Sequence, residues 1–319
     1  MSFPLFRRPG TIVVVDDDEQ YVEMLRVVLP ADWNLLLFTA PQPVIPLVQE
    51  NAKLCDADAT KQQSIAMSGL ERPVVPELLK YLEATPERFG IINVIVSDEA
   101  MPAMRGLKMF SKIGPWGGAR ILLTGVADEH IAIDALNAKP NRLIEQYVPK
   151  HGRAGMSRAL TETILELSRE SHPRYTQIWR GLLSSEYNDM LQDAQVGADL
   201  QRFVDQHWVE YFVVGQPFGI LGVSKAGRPS WLKLEPTESL ADAATIASDA
   251  GCTPDEVQAV REGKALAVEH IGGGVKQRVA PAFELGKGKL LAAHFEPWPA
   301  FANGGYARWH AEQPGRELA

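Results

Sequence analysis

Cysteine is nearly absent from this chain of 319 residues: only Cys55 and Cys252 occur, far apart and with no Cys-x-x-Cys pair. That excludes a disulfide framework and a zinc ribbon, and it suits a reducing cytosol. Long apolar runs are absent too; none approaches the roughly 18 residues that a membrane span requires. Met1 to Gly10 carries two arginines but no apolar h-region, so a secretory signal is not expected. Basic excess is also missing. The net charge of −8 argues against a chain that grips nucleic acid mainly through electrostatics. The seven histidines show no metal-ligand spacing. A cytoplasmic protein is expected, with no membrane and no nucleic-acid partner.

What is present is ordinary globular material, 45% hydrophobic and 23% charged, enough for a sizeable core. At about 150 residues per domain the length fits two domains. Residues 11 to 150 alternate strand and helix patterns, which predicts an α/β domain with a doubly wound, five-stranded parallel sheet. Thr11 to Val15, Trp33 to Phe38, Ile91 to Asp98, Arg120 to Leu123 and Ile144 to Val148 are the strand candidates. Between them, Gln20 to Leu29, Lys108 to Ile113 and Asp128 to Leu136 carry helical stripes, and Met156 to Leu167 follows. An unusual stretch, about 39–89, is broken by Pro41, Pro43, Pro46, Pro73 and Pro76; it reads as two or three short helices with a polar loop around Cys55 to Gln63.

The acids fall at strand ends. Thr11–Val15 runs into Asp16-Asp17-Asp18, the third strand ends in Asp98, the fourth in Thr124, and the fifth leads to Lys150. Carboxyl ends of parallel strands share one edge, where ligands bind. Three acids, a hydroxyl and an ammonium converging there would suit a divalent cation and a phosphoryl group. Asp18 reads instead as a helix-capping or solvent residue rather than a third ligand.

The segments Val14 to Asp18, Val96 to Gly106, Leu123-Thr124-Gly125 and Tyr147 to Lys150 resemble the receiver domain of two-component response regulators, of the flavodoxin-like fold. The family's Asp-x-x-Met-Pro-x-x-x-Gly block is matched at Asp98, Met101, Pro102 and Gly106. The resemblance implies that Asp98 is phosphorylated by a sensor histidine kinase or phosphotransfer protein. It implies that Asp16, Asp17, Asp98 and the main-chain carbonyl of Ala100 bind Mg2+, that Thr124 and Lys150 read the phosphate, and that Tyr147 is a switch aromatic. The receiver would promote its own phosphotransfer and dephosphorylation without being otherwise an enzyme. Two departures stand out: His151 follows the lysine where the family has proline, and the 39–89 insertion is long. Leu122 to Glu129 is similar to regulators found beside autoinducer-type quorum-sensing kinases.

The expected division is a receiver domain over 1–154, a helical linker over 155–199 and a smaller α+β output domain over 200–319. Tyr175 to Leu191 reads as one helical pattern, able to pack against the second half or to mediate a homodimer. Phe218 to Leu234 reads as a β-hairpin, and Val279 to Leu285 with Lys289 to Phe295 as another. Thr253-Pro254-Asp255-Glu256 is a capping-box helix start. Trp208, Tyr211, Phe212, Phe218 and Trp231 fit either a buried core or a ligand pocket, and Gly272-Gly273-Gly274 either a turn or an anion cradle. The output half therefore reads as an interaction or dimerisation module switched by Asp98. Alternatives are a small-ligand-binding or enzymatic effector and, less well supported, a DNA-binding regulator.

Overall fold

A computed structural model describes residues 3–69, 72–125, 128–138, 142–150, 153–169, 173–268 and 279–313. His151, the triple glycine at 272–274 and the Met156 side chain lie outside the described set. The chain forms two compact units, and neither is one continuous segment.

The first unit consists mainly of Pro9–Asp58 and Glu87–His172. Its strands β2 (Thr11–Val15), β3 (Asn34–Phe38), β4 (Ile92–Asp98), β5 (Ala119–Thr124) and β6 (Gln146–Pro149) form a wholly parallel sheet in the order β3-β2-β4-β5-β6. Alternation splits the strands' side chains between two cores. Val14, Val96 and Leu123 pack with Val22 and Leu25 of α1 (Glu19–Val28) and Leu160 and Ile164 of α6 (Arg153–Arg169). Val13, Val15, Ile95 and Leu122 pack with Val44 and Val48 of α2 (Val44–Ser68), Met109 and Phe110 of α4 (Gly106–Ile113) and Ala132 of α5 (Glu129–Asn137). The sheet is doubly wound. Its order reverses between β2 and β4, which puts the switch-point crevice beside the ends of those two strands.

The polar loop expected around Cys55 to Gln63 is instead continuous helix, because α2 runs unbroken through it. Pro46 sits in the first turn, where no helical hydrogen bond is lost, and no proline or glycine follows before Gly69. From Ala59 onward this helix belongs to the second unit, as does α3 (Val74–Ala84). Most of the insertion is thus part of the other unit rather than a receiver decoration.

That second unit comprises Met1–Arg8, Ala59–Pro86 and Pro173–Ala311. Six strands lie antiparallel in the order β1-β7-β8-β9-β13-β12. They are β1 (Phe6–Arg7), β7 (Glu210–Val214), β8 (Gly219–Val223), β9 (Pro229–Pro236), β12 (Phe283–Leu285) and β13 (Leu290–Phe295). A separate ribbon pairs β10 (Ala265–Ala267) with β11 (Val279–Pro281), so Val279 to Pro281 leaves the hairpin expected for it. Helices α10 (Leu240–Asp249) and α11 (Pro254–Arg261) share an alanine-rich cluster, α11 starting at the capping box of Thr253 and Glu256. The single helix expected over Tyr175 to Leu191 is two, α7 (Pro173–Arg180) and α8 (Ser185–Gln192), with Ser184 capping the second. Helix α9 (Ala194–His207) crosses the expected linker boundary at 199/200. The last helix is α12 (Gly305–Glu312).

Gln62 ties the insertion into this unit. Fully buried, it accepts a hydrogen bond from Trp179 Nε1 at 3.0 Å and donates to the Tyr81 hydroxyl at 3.2 Å. Trp179 and Tyr81 both pack edge-on against Phe212 of β7. On α9's side, Trp208 lies across Gly222, where a Cβ would come within 1.8 Å of the indole, and its Nε1 donates to Ser230 at 2.7 Å. Trp208, Tyr211, Phe212, Phe218 and Trp231 are all buried. Because Tyr211 and Phe212 are neighbours on a strand, they point to opposite faces. The set is core rather than the lining of one pocket.

Candidate functional site

Each acidic side chain is delivered by the end of a greasy strand. β2 is buried along its whole length and releases the chain at Asp16 and Asp17. Asp18 then caps α1, its carboxylate accepting from the Gln20 and Tyr21 amides at 3.0 and 3.2 Å, and so turns away from the crevice. β4 ends at Asp98, which is buried. Asp16, Asp17 and Asp98 each bring one carboxylate oxygen within 4.8 Å of the others, with Asp17 the exposed member. Such a set of hard oxygen donors fits Mg2+, which takes one or two carboxylates and keeps its other positions for water or phosphate.

Lys150 spans the cluster. Its backbone N–H donates to the Thr124 carbonyl at 2.8 Å, fixing the lysine at the edge of β5. From there Nζ reaches Asp16 Oδ2 at 2.6 Å and Asp98 Oδ1 at 2.8 Å. The other Asp98 oxygen accepts from the Ala100 amide at 3.1 Å, so both oxygens are held in fixed directions. Burial pushes the Asp16 carboxyl up to about 6, against the pull of Lys150 and the Asp18 amide, and the Asp98 charge adds to the rise. Burial alone would lower the Lys150 ammonium, but hydrogen bonds and charge from Asp16 and Asp98 outweigh it and hold the group above the ordinary lysine value.

Thr124 sits one residue past the β5 register partner of Asp98, fully buried, and its hydroxyl has no hydrogen-bond partner. A buried, unsatisfied hydroxyl is costly unless something arrives to meet it. Tyr147 lies opposite Leu122 on β6, half-buried against the cluster that holds Met109 and Phe110. Ala100 is exposed just beyond Asp98.

Three residues near the site carry no strand-end signal. Glu99, 1% exposed, accepts from the Leu107 amide at 2.9 Å and caps α4 in place of an N-cap side chain. Arg105 holds Glu99 at 2.6 Å and Asp128 at 2.8 Å. Tyr21 lies beneath Lys150, its ring centroid 4.7 Å from Nζ. Gly106 has a steric reason: a Cβ there would stand 2.4 Å from the Asp98 carbonyl oxygen. Glycine is what lets α4 start against the end of β4.

No protein-family model and no curated protein matches the chain. Among solved structures, the response regulator LqsR of Legionella pneumophila superposes with a TM-score of 0.73, covering 100% of this chain and 99% of that one at 21% identity. Receiver domain proteins from Clostridium thermocellum and Methanospirillum hungatei JF-1, each 20% identical, match 49% and 50% of this chain and 95% and 94% of theirs, with TM-scores of 0.28 and 0.30. At this identity the likeness to LqsR is one of fold, and it extends over both units.

Proposed function

We propose that the chain is a response regulator in which Asp98 accepts a phosphoryl group from a histidine kinase or phosphotransfer protein. The observation that carries this reading is the single ammonium, Lys150, shared by two strand-end carboxylates, Asp16 and Asp98. Beside it stands the unpartnered Thr124 hydroxyl. In the reaction, an Asp98 carboxylate oxygen forms a P–O bond as the donor's P–N bond breaks, and the imidazole leaves with the electron pair and gains a proton from water. Asp16, Asp17, Asp98 and the Ala100 carbonyl would hold Mg2+, whose contribution is to neutralise charge on the phosphoryl oxygens. Lys150 then moves its hydrogen bond from Asp98 to a phosphoryl oxygen, and Thr124 donates to another. Tyr147 follows Thr124 as the switch aromatic.

The second unit, in this reading, is the output, acting through protein interaction or as a homodimer. Supporting this over a small-ligand effector is the use of its aromatic set as core. Among the described residues no helix is long and apolar enough to cross a membrane. Acetyl phosphate with Mg2+ should produce a slower band of the wild-type protein on a Phos-tag gel, and Asp98→Asn should not. An equal shift in the variant would remove Asp98 from the role.

A further inference from the structure

We infer that Tyr21 is a positioning residue that holds the Lys150 ammonium over Asp98 through its ring face, an inference that rests on the phosphoacceptor reading above. The Asp18 cap fixes the first turn of α1, and with it Tyr21, directly after the metal-facing acids. From that turn the ring lies 4.7 Å from Lys150 Nζ, on a lysine that already donates to Asp16 and Asp98. A half-buried ammonium over an aromatic face is attracted by the ring quadrupole, and more strongly as water is excluded. Burial, then the charges of Asp16 and Asp98, favour the neutral phenol, so the ring can meet the ammonium as an uncharged face.

This matters because a lysine side chain is long and flexible, with much rotamer entropy to lose. When Asp98 Oδ1 is taken by phosphorus, one of the two carboxylate anchors goes. The ring remains and keeps the ammonium facing the phosphoryl oxygens rather than solvent. Tyr21 thus acts on the phosphorylated state more than on metal binding, since it offers no ligand to the cation.

The test uses the full chain with beryllofluoride as phosphoryl mimic, titrated at saturating Mg2+ and followed by NMR, together with the Lys150 side-chain ammonium signal. Tyr21→Leu should weaken beryllofluoride binding about fivefold, abolish the ring-current shift of the Lys150 signal, and leave Mg2+ affinity unchanged. Tyr21→Phe, which keeps the ring, should match the wild type in all three. The inference is overturned if Tyr21→Leu binds the mimic like wild type, if Phe and Leu are equally impaired, or if Mg2+ affinity falls in parallel. Failure of the underlying reading is separate and visible: Asp98→Asn would then bind the mimic as well as wild type does.

Discussion

Arg105 donates from Nη2 to Asp128 at 2.8 Å while its Nε holds the buried Glu99 at 2.6 Å. One half-exposed guanidinium therefore ties the segment after Asp98 to the residue that precedes α5, four positions beyond Thr124. Asp128 stands at the N-cap of α5 but makes no side-chain cap bond, its carboxylate being engaged by Arg105.

Removing that tie should loosen the loop more than it unfolds the protein. Arg105 is 53% exposed, so its ion pairs are strongly screened, although Glu99 would lose its cation inside the fold. Arg105→Ala should cost about 1 kcal/mol in urea denaturation. Hydrogen exchange should accelerate at the Asp128 and Glu129 amides, and protection there equal to wild type would disprove the tie.

Asp16 sets a pH dependence whose sign follows from its shift. The folded carboxyl titrates at about 6 against an ordinary 3.8, so folding favours its protonated form. That contribution is fully present below about 3.8 and is lost as pH rises through about 6. Without metal, Asp16→Asn should therefore be more stable than wild type at pH 8, by about 1–2 kcal/mol after allowing for the lost Lys150 pairing. Mg2+ should stabilise the wild type above pH 6 and progressively less below it, as the proton competes for the carboxylate. Melting curves across pH with and without Mg2+ decide both points.

Gln62 predicts how the second unit responds to losing the insertion. Replacing it with leucine strands the Trp179 indole N–H in the core. The expected loss is about 2–3 kcal/mol in chemical denaturation. A fragment of residues 173–319 should fail to give a cooperative transition, because the partners supplied by residues 59–86 are missing. A sharp melting transition from that fragment would contradict the assignment.

Gly106→Ala should damage the site through the backbone. The added methyl meets the Asp98 carbonyl at 2.4 Å and a Leu122 methyl at 2.9 Å, and the strand carbonyl cannot swing away without moving Asp98. A stability loss of about 1–3 kcal/mol is expected. Phosphorylation by acetyl phosphate should slow as well; a wild-type rate would show that the carbonyl yields without disturbing its own side chain.

The parallel sheet was legible because buried parallel strands are written as near-continuous apolar runs, and the runs ending at Asp16 and Asp98 could mean little else. The convergence of Asp16, Asp17, Asp98 and Lys150 followed from sheet topology alone. Helix α2 was illegible for a physical reason. Its Cys55 to Gln63 stretch is polar on every side, and two of its polar residues, Asp58 and Gln62, are buried, so no apolar stripe marks the core face. Strand β7 is equally hard to read, because both its faces are covered and no alternation marks it. Tyr21 and Arg105 act through contacts with Lys150 and Asp128, far along the chain, and no local pattern announces such pairs.

The chain's passage between its two units, after Arg8, Asp58, Pro86 and His172, bears on how such a protein can change over generations. Domains joined end to end can be shuffled by one recombination between genes. Here a single crossover anywhere between residues 9 and 172 would leave at least one unit lacking a segment of its own. One such event therefore cannot exchange either unit whole, and substitution within the chain is the simpler route to change in either.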